Sequence, residues 1–264
     1  MDQLFKKYPH NSPYAFAEND VIAHIELEGL EKFYASNGRF IGQLGKSSEI
    51  RVMNSKLTLG QVNGVVNCSN KNEKHFAAHK QLLLKNSYAT FQTPDDAATS
   101  FGNKINEKSV LVNKEYGAGI NELPLFNSDG TKSTGKVYLL GKIVEGKDRS
   151  ISPLDIGNRR DGPDEINAYA PEDSNDSRKD DVYLPGKTVA IPHTHAQGSS
   201  SFSEKVPDGY GGYNGDKAMA EEFNVNVYLI DKGGNLRLYN FKTKETSKVR
   251  SDLVGSENKP IISK

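Results

Sequence analysis

The stretch Val189-Ala-Ile-Pro-His-Thr-His195 decides both the fold and the chemistry that this sequence predicts. Its first residues are apolar, and they predict a strand over residues 187–193. Side chains alternate along a strand, so His193 and His195 would point to one face and could bind a single metal ion. A His-x-His pair at a strand end can also be a polar, half-exposed surface, and the spacing alone leaves both interpretations open.

Catalytic zinc commonly takes three protein ligands and leaves a fourth position for water. Asp216 is the candidate third ligand, because it begins a predicted helix over residues 216–223 and an acid is favoured at the positive end of a helix. Glu115 lies among small residues and is the candidate general base. Ser203 could donate a hydrogen bond to a developing oxyanion. These three residues also have ordinary interpretations, as a helix cap, a solvated charge and a turn residue.

A second pair of histidines competes for the role of metal site. His75 and His79 are one helical turn apart, within residues 72–90, whose periodicity predicts a helix. The residue after His75 is not Glu, so the zincin pattern is absent from the sequence. We therefore expect two ordinary histidines on a helix surface.

The segments around the His pair predict a mixed domain. Thr93-Pro-Asp-Asp96 offers an N-cap threonine, proline at the first helical position and acids in the first turn, so a helix should run to about Ile105. Further elements are expected as strands at 109–121 and 136–144 and as a hairpin over 225–239. Together these elements predict an α/β or α+β domain over residues 80–245.

The remaining segments flank or interrupt this domain. Asn37-Gly38 lies between apolar pairs and predicts a hairpin, so residues 31–79 are expected to be a β-rich linker segment. Residues 146–182 are charged and lack periodicity, which predicts a surface insertion or partly disordered loop. Residues 246–264 are expected to be a flexible tail.

Composition narrows the function further. Lys+Arg and Asp+Glu are 34 each, so the net charge is zero and a broad electrostatic footprint for nucleic acid is absent. The single cysteine, Cys68, excludes an internal disulfide framework and a multi-cysteine metal cluster. The sequence contains no apolar stretch long enough to span a bilayer, and its first residues lack the pattern of a signal peptide.

The beginning of the chain resembles a known family. Tyr8-Pro-His-Asn-Ser-Pro-Tyr-Ala-Phe-Ala-Glu-Asn19, followed by Glu26-Leu-Glu-Gly-Leu30, is similar to the end of the Rhs/YD-repeat core, where the toxin tip of these polymorphic toxins begins. Residues 1–30 are therefore expected to be the tail of an Rhs core. The family has Asp-Pro where this chain has Glu26-Leu27, a departure at the position of self-cleavage.

Residues 91–240 resemble JAB-like toxin domains, which belong to the wider JAB/JAMM metallopeptidase family. The similarity lies in Phe91-Gln-Thr-Pro-Asp-Asp-Ala-Ala98, Glu115-Tyr-Gly-Ala-Gly119, Pro192-His-Thr-His195, Phe202-Ser203 and Asp216-Lys-Ala-Met-Ala-Glu221. The family pattern is a distant Glu, then His-x-His-Pro, then Ser-x-x-Asp. The resemblance implies a JAB/MPN-like fold of three layers around a curved mixed sheet.

The same resemblance implies a role for each site residue. Glu115 would be the base, Ser203 the oxyanion helper, and His193, His195 and Asp216 the zinc ligands. Two departures from the family pattern stand out: Ala196 replaces the proline, and an inserted loop separates Ser203 from Asp216. The longer loop leaves Asp208 as a rival third ligand.

The expected function is that of a toxin tip delivered into a target cell as part of a larger secreted Rhs protein. It would be a zinc-dependent hydrolase that cleaves a peptide or isopeptide bond in a target-cell protein during interbacterial competition, and a cognate immunity protein would be its partner. A metal-dependent nuclease and a non-catalytic delivery or partner-binding domain are the alternatives. The neutral charge disfavours the nuclease.

Overall fold

The structure is a computed structural model, and it describes residues 31–44, 49–54, 59–69, 73–146, 184–196, 200–209 and 213–253. The Rhs-like segment 1–30 lies outside the described residues, as does the charged stretch 146–182 apart from its first residue. In the part that the structure describes, none of the helices combines the length and the hydropathy needed to cross a bilayer.

The described residues contain four helices and fourteen strands. The helices are α1 (Leu59–Ser69), α2 (Glu73–Lys85), α3 (Pro94–Val112) and α4 (Asp216–Phe223). The strands are β1 (Lys32–Tyr34), β2 (Phe40–Gln43), β3 (Ile50–Met53), β4 (Ser87–Phe91), β5 (Tyr116–Gly117), β6 (Ile120–Phe126), β7 (Lys132–Leu140), β8 (Val144–Glu145), β9 (Lys187–His195), β10 (Val206–Pro207), β11 (Tyr213–Asn214), β12 (Asn226–Asp231), β13 (Leu236–Asn240) and β14 (Glu245–Arg250).

Twelve of these strands form one open mixed sheet. Ten follow the order β14-β13-β12-β9-β6-β7-β4-β3-β1-β2, while β5 pairs with β9 and β8 pairs with β5. In the middle of the order, β9 is parallel to β12 and antiparallel to β6. The remaining two strands, β10 and β11, pair with each other. This architecture confirms the predicted α+β class.

The central strands bury both faces, with a helix on each. Ala190 of β9 packs in the cluster that contains Phe101 of α3, whereas Ile191 packs in the cluster that contains Met219 of α4. The alternation continues on β12, where Tyr228 and Ile230 join the α3 cluster, and Val227 and Leu229 the α4 cluster. Helix α3, the sheet and α4 are therefore three successive layers at the position of β9.

The segment expected to be β-rich contains the predicted hairpin and also an unpredicted helix. Strands β1 and β2 pair on either side of Gly38, whose φ of 80° suits a tight turn. The prediction missed α1, because Gly60, Gly64 and several valines give it poor intrinsic helix propensity. Burial of Val62 and Val66, one turn apart, against the cluster that contains Phe33 stabilises this helix.

The predicted boundary between residues 79 and 80 falls inside α2. Strand β4 pairs with β3 on one side and with β7 on the other, so one sheet spans both predicted segments. Val52 of β3 is buried in the same cluster as Leu123 and Leu139. The core of the domain therefore includes side chains that precede residue 80.

Helix α3 begins as predicted but ends later. Thr93 caps it, since the Thr93 hydroxyl accepts a hydrogen bond of 3.1 Å from the Asp96 amide, and Pro94 follows. The expected strand at 109–112 is wrong, because the helix continues through Val112 and ends at Asn113 with left-handed geometry. Phe101, Ile105 and Ser109 form a buried stripe at four-residue spacing, and this packing overrides the β preference of the valines.

The expected flexible tail is also corrected in part. Residues 246–250 belong to β14, which is hydrogen-bonded to β13. Leu253 then returns to the core, where it is 1% exposed and packs in the α3 cluster. Helix α3 has Gly102 at this contact, and a Cβ there would approach Leu253 Cδ1 to 2.6 Å.

We predict that Leu253→Ala lowers the free energy of unfolding by about 2–5 kcal/mol, the usual cost of truncating a buried leucine. Urea unfolding followed by circular dichroism measures this change. Leu111→Ala is the control, because Leu111 is 77% exposed and its truncation should change stability by less than about 0.5 kcal/mol. Equal effects of the two substitutions would show that the C-terminal segment is not part of the core.

Candidate metal centre

The two histidines of β9 lie at the end of the central strand and on the α4 face. His193 is aligned with Leu229 of β12, and His195 with Asp231. Both histidines lie on the same face as Ile191, because positions 191, 193 and 195 follow one another at intervals of two along the strand. The side chain of His193 is 1% exposed and that of His195 11%, so the pair lies below the surface.

Asp216 approaches the histidines from the first turn of α4. Its Oδ1 lies 3.1 Å from His193 Nε2, and its Oδ2 lies 3.6 Å from His195 Nε2. The two Nε2 atoms are 3.3 Å apart. Among the described residues, this is the group of histidine, cysteine and acidic side chains that could hold a metal ion, with all ligand atoms within 4.8 Å of one another.

Ser203 fixes Asp216 through a reciprocal pair of hydrogen bonds. The Ser203 amide donates to Asp216 Oδ2 at 2.7 Å, and the Asp216 amide donates to Ser203 Oγ at 2.8 Å. The residue at the N-cap position, Gly215, has no side chain to offer, so Ser203 takes over the capping of α4. Gly215 has a φ of 112°, and a Cβ would meet the Glu204 carbonyl oxygen at 2.2 Å, so glycine is required there.

The charges of the site favour an ionised carboxylate. Burial by itself would raise the pKa of the Asp216 carboxyl, but His193, the Ser203 amide and His195 hold that pKa well below its usual range. Burial by itself would lower the pKa of His193, but Asp216 and, to a lesser degree, Glu115 raise it. Asp216 is therefore a carboxylate at neutral pH, the form that a metal ligand requires.

Glu115 reaches the site although it lies far from the histidines in sequence. Strand β5 pairs with β9 through Gly117 and His193, and the Ala118 amide donates to the Pro192 carbonyl at 3.1 Å. This pairing puts Glu115 Oε1 4.0 Å from His195 Nε2, with 16% of its side chain exposed. The carboxylate thus lies beside the group of three ligand candidates.

The structure brings the predicted site residues together but leaves the rival ligand out of the group of three. It brings His193, His195 and Asp216 together, and it puts Glu115 next to them. Ser203 contacts Asp216: its hydroxyl accepts a hydrogen bond from the Asp216 amide. The same hydroxyl can still donate a hydrogen bond through its own proton. The rival ligand Asp208 is not a member of the group of three.

The competing histidine pair lies on α2, as its spacing predicts. The side chain of His75 lies outside the described residues. His79 is half-buried and is not a member of the group that could hold a metal ion.

Sequence reasoning missed two kinds of residue around the site. Gly215 carried a signal, a glycine directly before a helix, which could have been recognised. Ser109 and Thr194 form a buried side-chain contact across 85 residues, and the sequence carries no signal that pairs them.

The chain matches no protein-family model, no curated protein and no solved structure.

We predict that a His193→Ala, His195→Ala double variant loses bound divalent metal, because only one of the three candidate ligands remains. Elemental analysis after metal loading and desalting measures the stoichiometry. His79→Ala is the matched control and should keep the metal content of the unsubstituted protein. Equal metal content in the double variant would exclude this group as the binding site.

Ser203→Ala should weaken metal binding by roughly 10- to 100-fold, the usual effect of losing a residue that orients a ligand. The substitution removes the acceptor for the Asp216 amide but keeps the Ser203 amide that donates to the Asp216 carboxylate. Competition with a chelator of known affinity measures the change. Ser201→Ala, on an exposed neighbour, is the control, and an affinity change of the same size in both variants would contradict the role of Ser203.

Proposed function

We propose that this chain is a zinc-dependent hydrolase of the JAB/JAMM kind and that it acts as the toxin tip of an Rhs polymorphic toxin. The observation that supports the hydrolase most directly is the group His193, His195 and Asp216 with a second carboxylate, Glu115, beside it. Three ligands and a separate base are the components of a catalytic zinc site that activates water. The three-layer arrangement of α3, the sheet and α4 agrees with the JAB/MPN-like fold that the resemblance implies.

The spacing of the ligand atoms fits zinc. Zinc–nitrogen distances of about 2.0–2.1 Å at tetrahedral angles separate neighbouring ligand atoms by roughly 3.3 Å. The two Nε2 atoms are 3.3 Å apart, and Asp216 Oδ1 lies 3.1 Å from His193 Nε2. The 3.6 Å contact with His195 Nε2 is made by the other carboxylate oxygen, Oδ2. Two imidazoles and a carboxylate are also a donor set that suits this ion. His193, His195 and one oxygen of Asp216 would therefore hold zinc, since their ligand atoms lie within 4.8 Å of one another.

Each residue near the site has a defined part in amide hydrolysis. A bound zinc ion supplies a Lewis acid that polarises the scissile carbonyl group and makes water more acidic. Glu115 accepts the proton of the attacking water and then transfers it to the leaving amine, as a general base followed by a general acid. Ser203, near Asp216, donates a hydrogen bond from its hydroxyl group to the developing oxyanion.

The choice of a peptide or isopeptide substrate rests on the resemblance to JAB/JAMM metallopeptidases and on charge. The chain has zero net charge, which gives it little general attraction for the phosphate backbone of nucleic acids. The toxin context rests on residues 1–30, whose sequence resembles the Rhs core. On this proposal a cognate immunity protein protects the producing cell, and a protein of the target cell is cleaved.

Glu115→Gln tests the proposal. The amide keeps the shape of the side chain but cannot accept a proton, so the rate should fall by roughly a hundred- to ten-thousand-fold while zinc content and fold stay unchanged. Growth after induced expression without an immunity protein is the measurement, since the unsubstituted protein should stop growth and the variant should not. Elemental analysis of the purified variant verifies that zinc remains.

The matched control is Glu122→Gln. Glu122 is a β6 carboxylate that pairs with Lys136 and accepts a hydrogen bond from Tyr138, away from the histidines. This variant should remain as toxic as the unsubstituted protein. A fully toxic Glu115→Gln protein that retains zinc would refute the mechanism. Release of nucleotides from RNA or DNA by the purified protein would support the nuclease alternative instead.

A further inference from the structure

Two buried hydroxyl groups connect the ligand strand with the segment that carries Glu115. Thr194, between the two histidines, faces α3 rather than the metal site, because side chains alternate along β9. Its Oγ1 lies 2.7 Å from Ser109 Oγ, near the end of α3. Both residues are fully buried, with no exposed surface. This contact lies on the side of the sheet opposite His193 and His195.

The same two hydroxyl groups bind the backbone on either side of Glu115. The Tyr116 amide donates to Thr194 Oγ1 at 3.0 Å, and Ser109 Oγ donates to the Lys114 carbonyl at 2.7 Å. A hydroxyl has one proton to donate, and the proton of Ser109 goes to the Lys114 carbonyl, which can only accept. In the contact between the two hydroxyl groups, Thr194 must therefore be the donor and Ser109 the acceptor. The hydrogen bonds therefore run in one direction, from the Tyr116 amide through Thr194 and Ser109 to the Lys114 carbonyl.

This hydrogen-bonded bridge adds to the sheet pairing of the short segment that carries Glu115. Strand β5 has two residues, which pair with the equally short strand β8, and Gly117 alone of the two pairs with β9. Glu115 precedes β5, and its carbonyl accepts a hydrogen bond from the Gly146 amide. The bridge adds a restraint on each neighbour of Glu115 and ties both to the strand that carries the histidines.

We propose that Ser109 and Thr194 are positioning residues, which fix the Glu115 carboxylate relative to the ligands of the metal site. The inference rests on the proposed function for the role of Glu115, but the contacts themselves do not depend on it. A base must lie within hydrogen-bond reach of the proton that it takes, and a displacement of about 1 Å can reduce the rate about a hundredfold. Neither residue touches the reacting atoms, so both act through Glu115.

The decisive experiment compares three variants of the full chain. Ser109→Ala and Thr194→Val each remove a hydroxyl of the bridge, whereas Thr194→Ser retains one and is the matched control. Crystal structures of the zinc-loaded proteins measure the distance from Glu115 Oε1 to His195 Nε2, which is 4.0 Å with the bridge intact. We expect Ser109→Ala and Thr194→Val to shift or disorder the Glu115 carboxylate with zinc still bound, and Thr194→Ser to leave it in place.

A second measurement follows growth inhibition by the same variants. Ser109→Ala and Thr194→Val should inhibit growth roughly a hundredfold less, judged by the expression level needed, and Thr194→Ser should restore inhibition. Full inhibition of growth by both hydroxyl-deficient variants would overturn the inference, and so would a Glu115 carboxylate that stays in place. Loss of zinc from these variants would also overturn it, because the effect would then lie on the metal ligands. If Thr194→Val fails to fold, Ser109→Ala decides, because Ser109 lies on α3 and not on the strand that carries the histidines.

The two measurements separate this inference from the proposed function. If the unsubstituted protein does not inhibit growth, the toxin proposal fails, but the crystal structures still decide whether the bridge positions Glu115. If the unsubstituted protein inhibits growth and Glu115 stays in place in Ser109→Ala, the inference fails and the hydrolase proposal stands.

Discussion

The alternation of side chains along β9 is the constraint on which the rest of the structure depends. Because β9 is covered on both faces, every second side chain packs toward α4 and the side chains between them pack toward α3. His193 and His195 lie on the same face of β9 as Ile191, and Thr194 lies on the opposite face. A shift of one residue in the register would turn both histidines into the α3 core and expose Thr194 to the site.

The metal site depends next on how α4 begins. Asp216 is useful as a ligand only if the first turn of α4 points at β9, and three features produce that direction. Gly215 makes a turn that other residues cannot make, Ser203 binds the Asp216 amide and carboxylate, and Met219 packs α4 against the sheet. The Ser203 amide, which donates a hydrogen bond to the Asp216 carboxylate, helps to keep Asp216 ionised, the form in which a carboxylate binds a cation.

Helix α3 links the core with the chemistry. Its buried stripe supports the opposite face of β9, and the last residue of the stripe, Ser109, contacts both Thr194 and the Lys114 carbonyl. The extension of α3 beyond the predicted end is therefore more than a boundary error. A helix that stopped near Ile105 would leave Ser109 without its position behind the ligand strand.

Local patterns in the sequence were sufficient for the α+β class, the start of α3, the β12–β13 hairpin and the common face of His193 and His195. Each follows from dihedral preferences or periodicity within a few residues. Only the tertiary structure brought Asp216 rather than Asp208 to the histidines, moved Glu115 beside them, joined Ser109 to Thr194 and kept residues 109–112 helical. These contacts join residues far apart in the chain, and packing across the whole sheet decides them, which no local preference encodes.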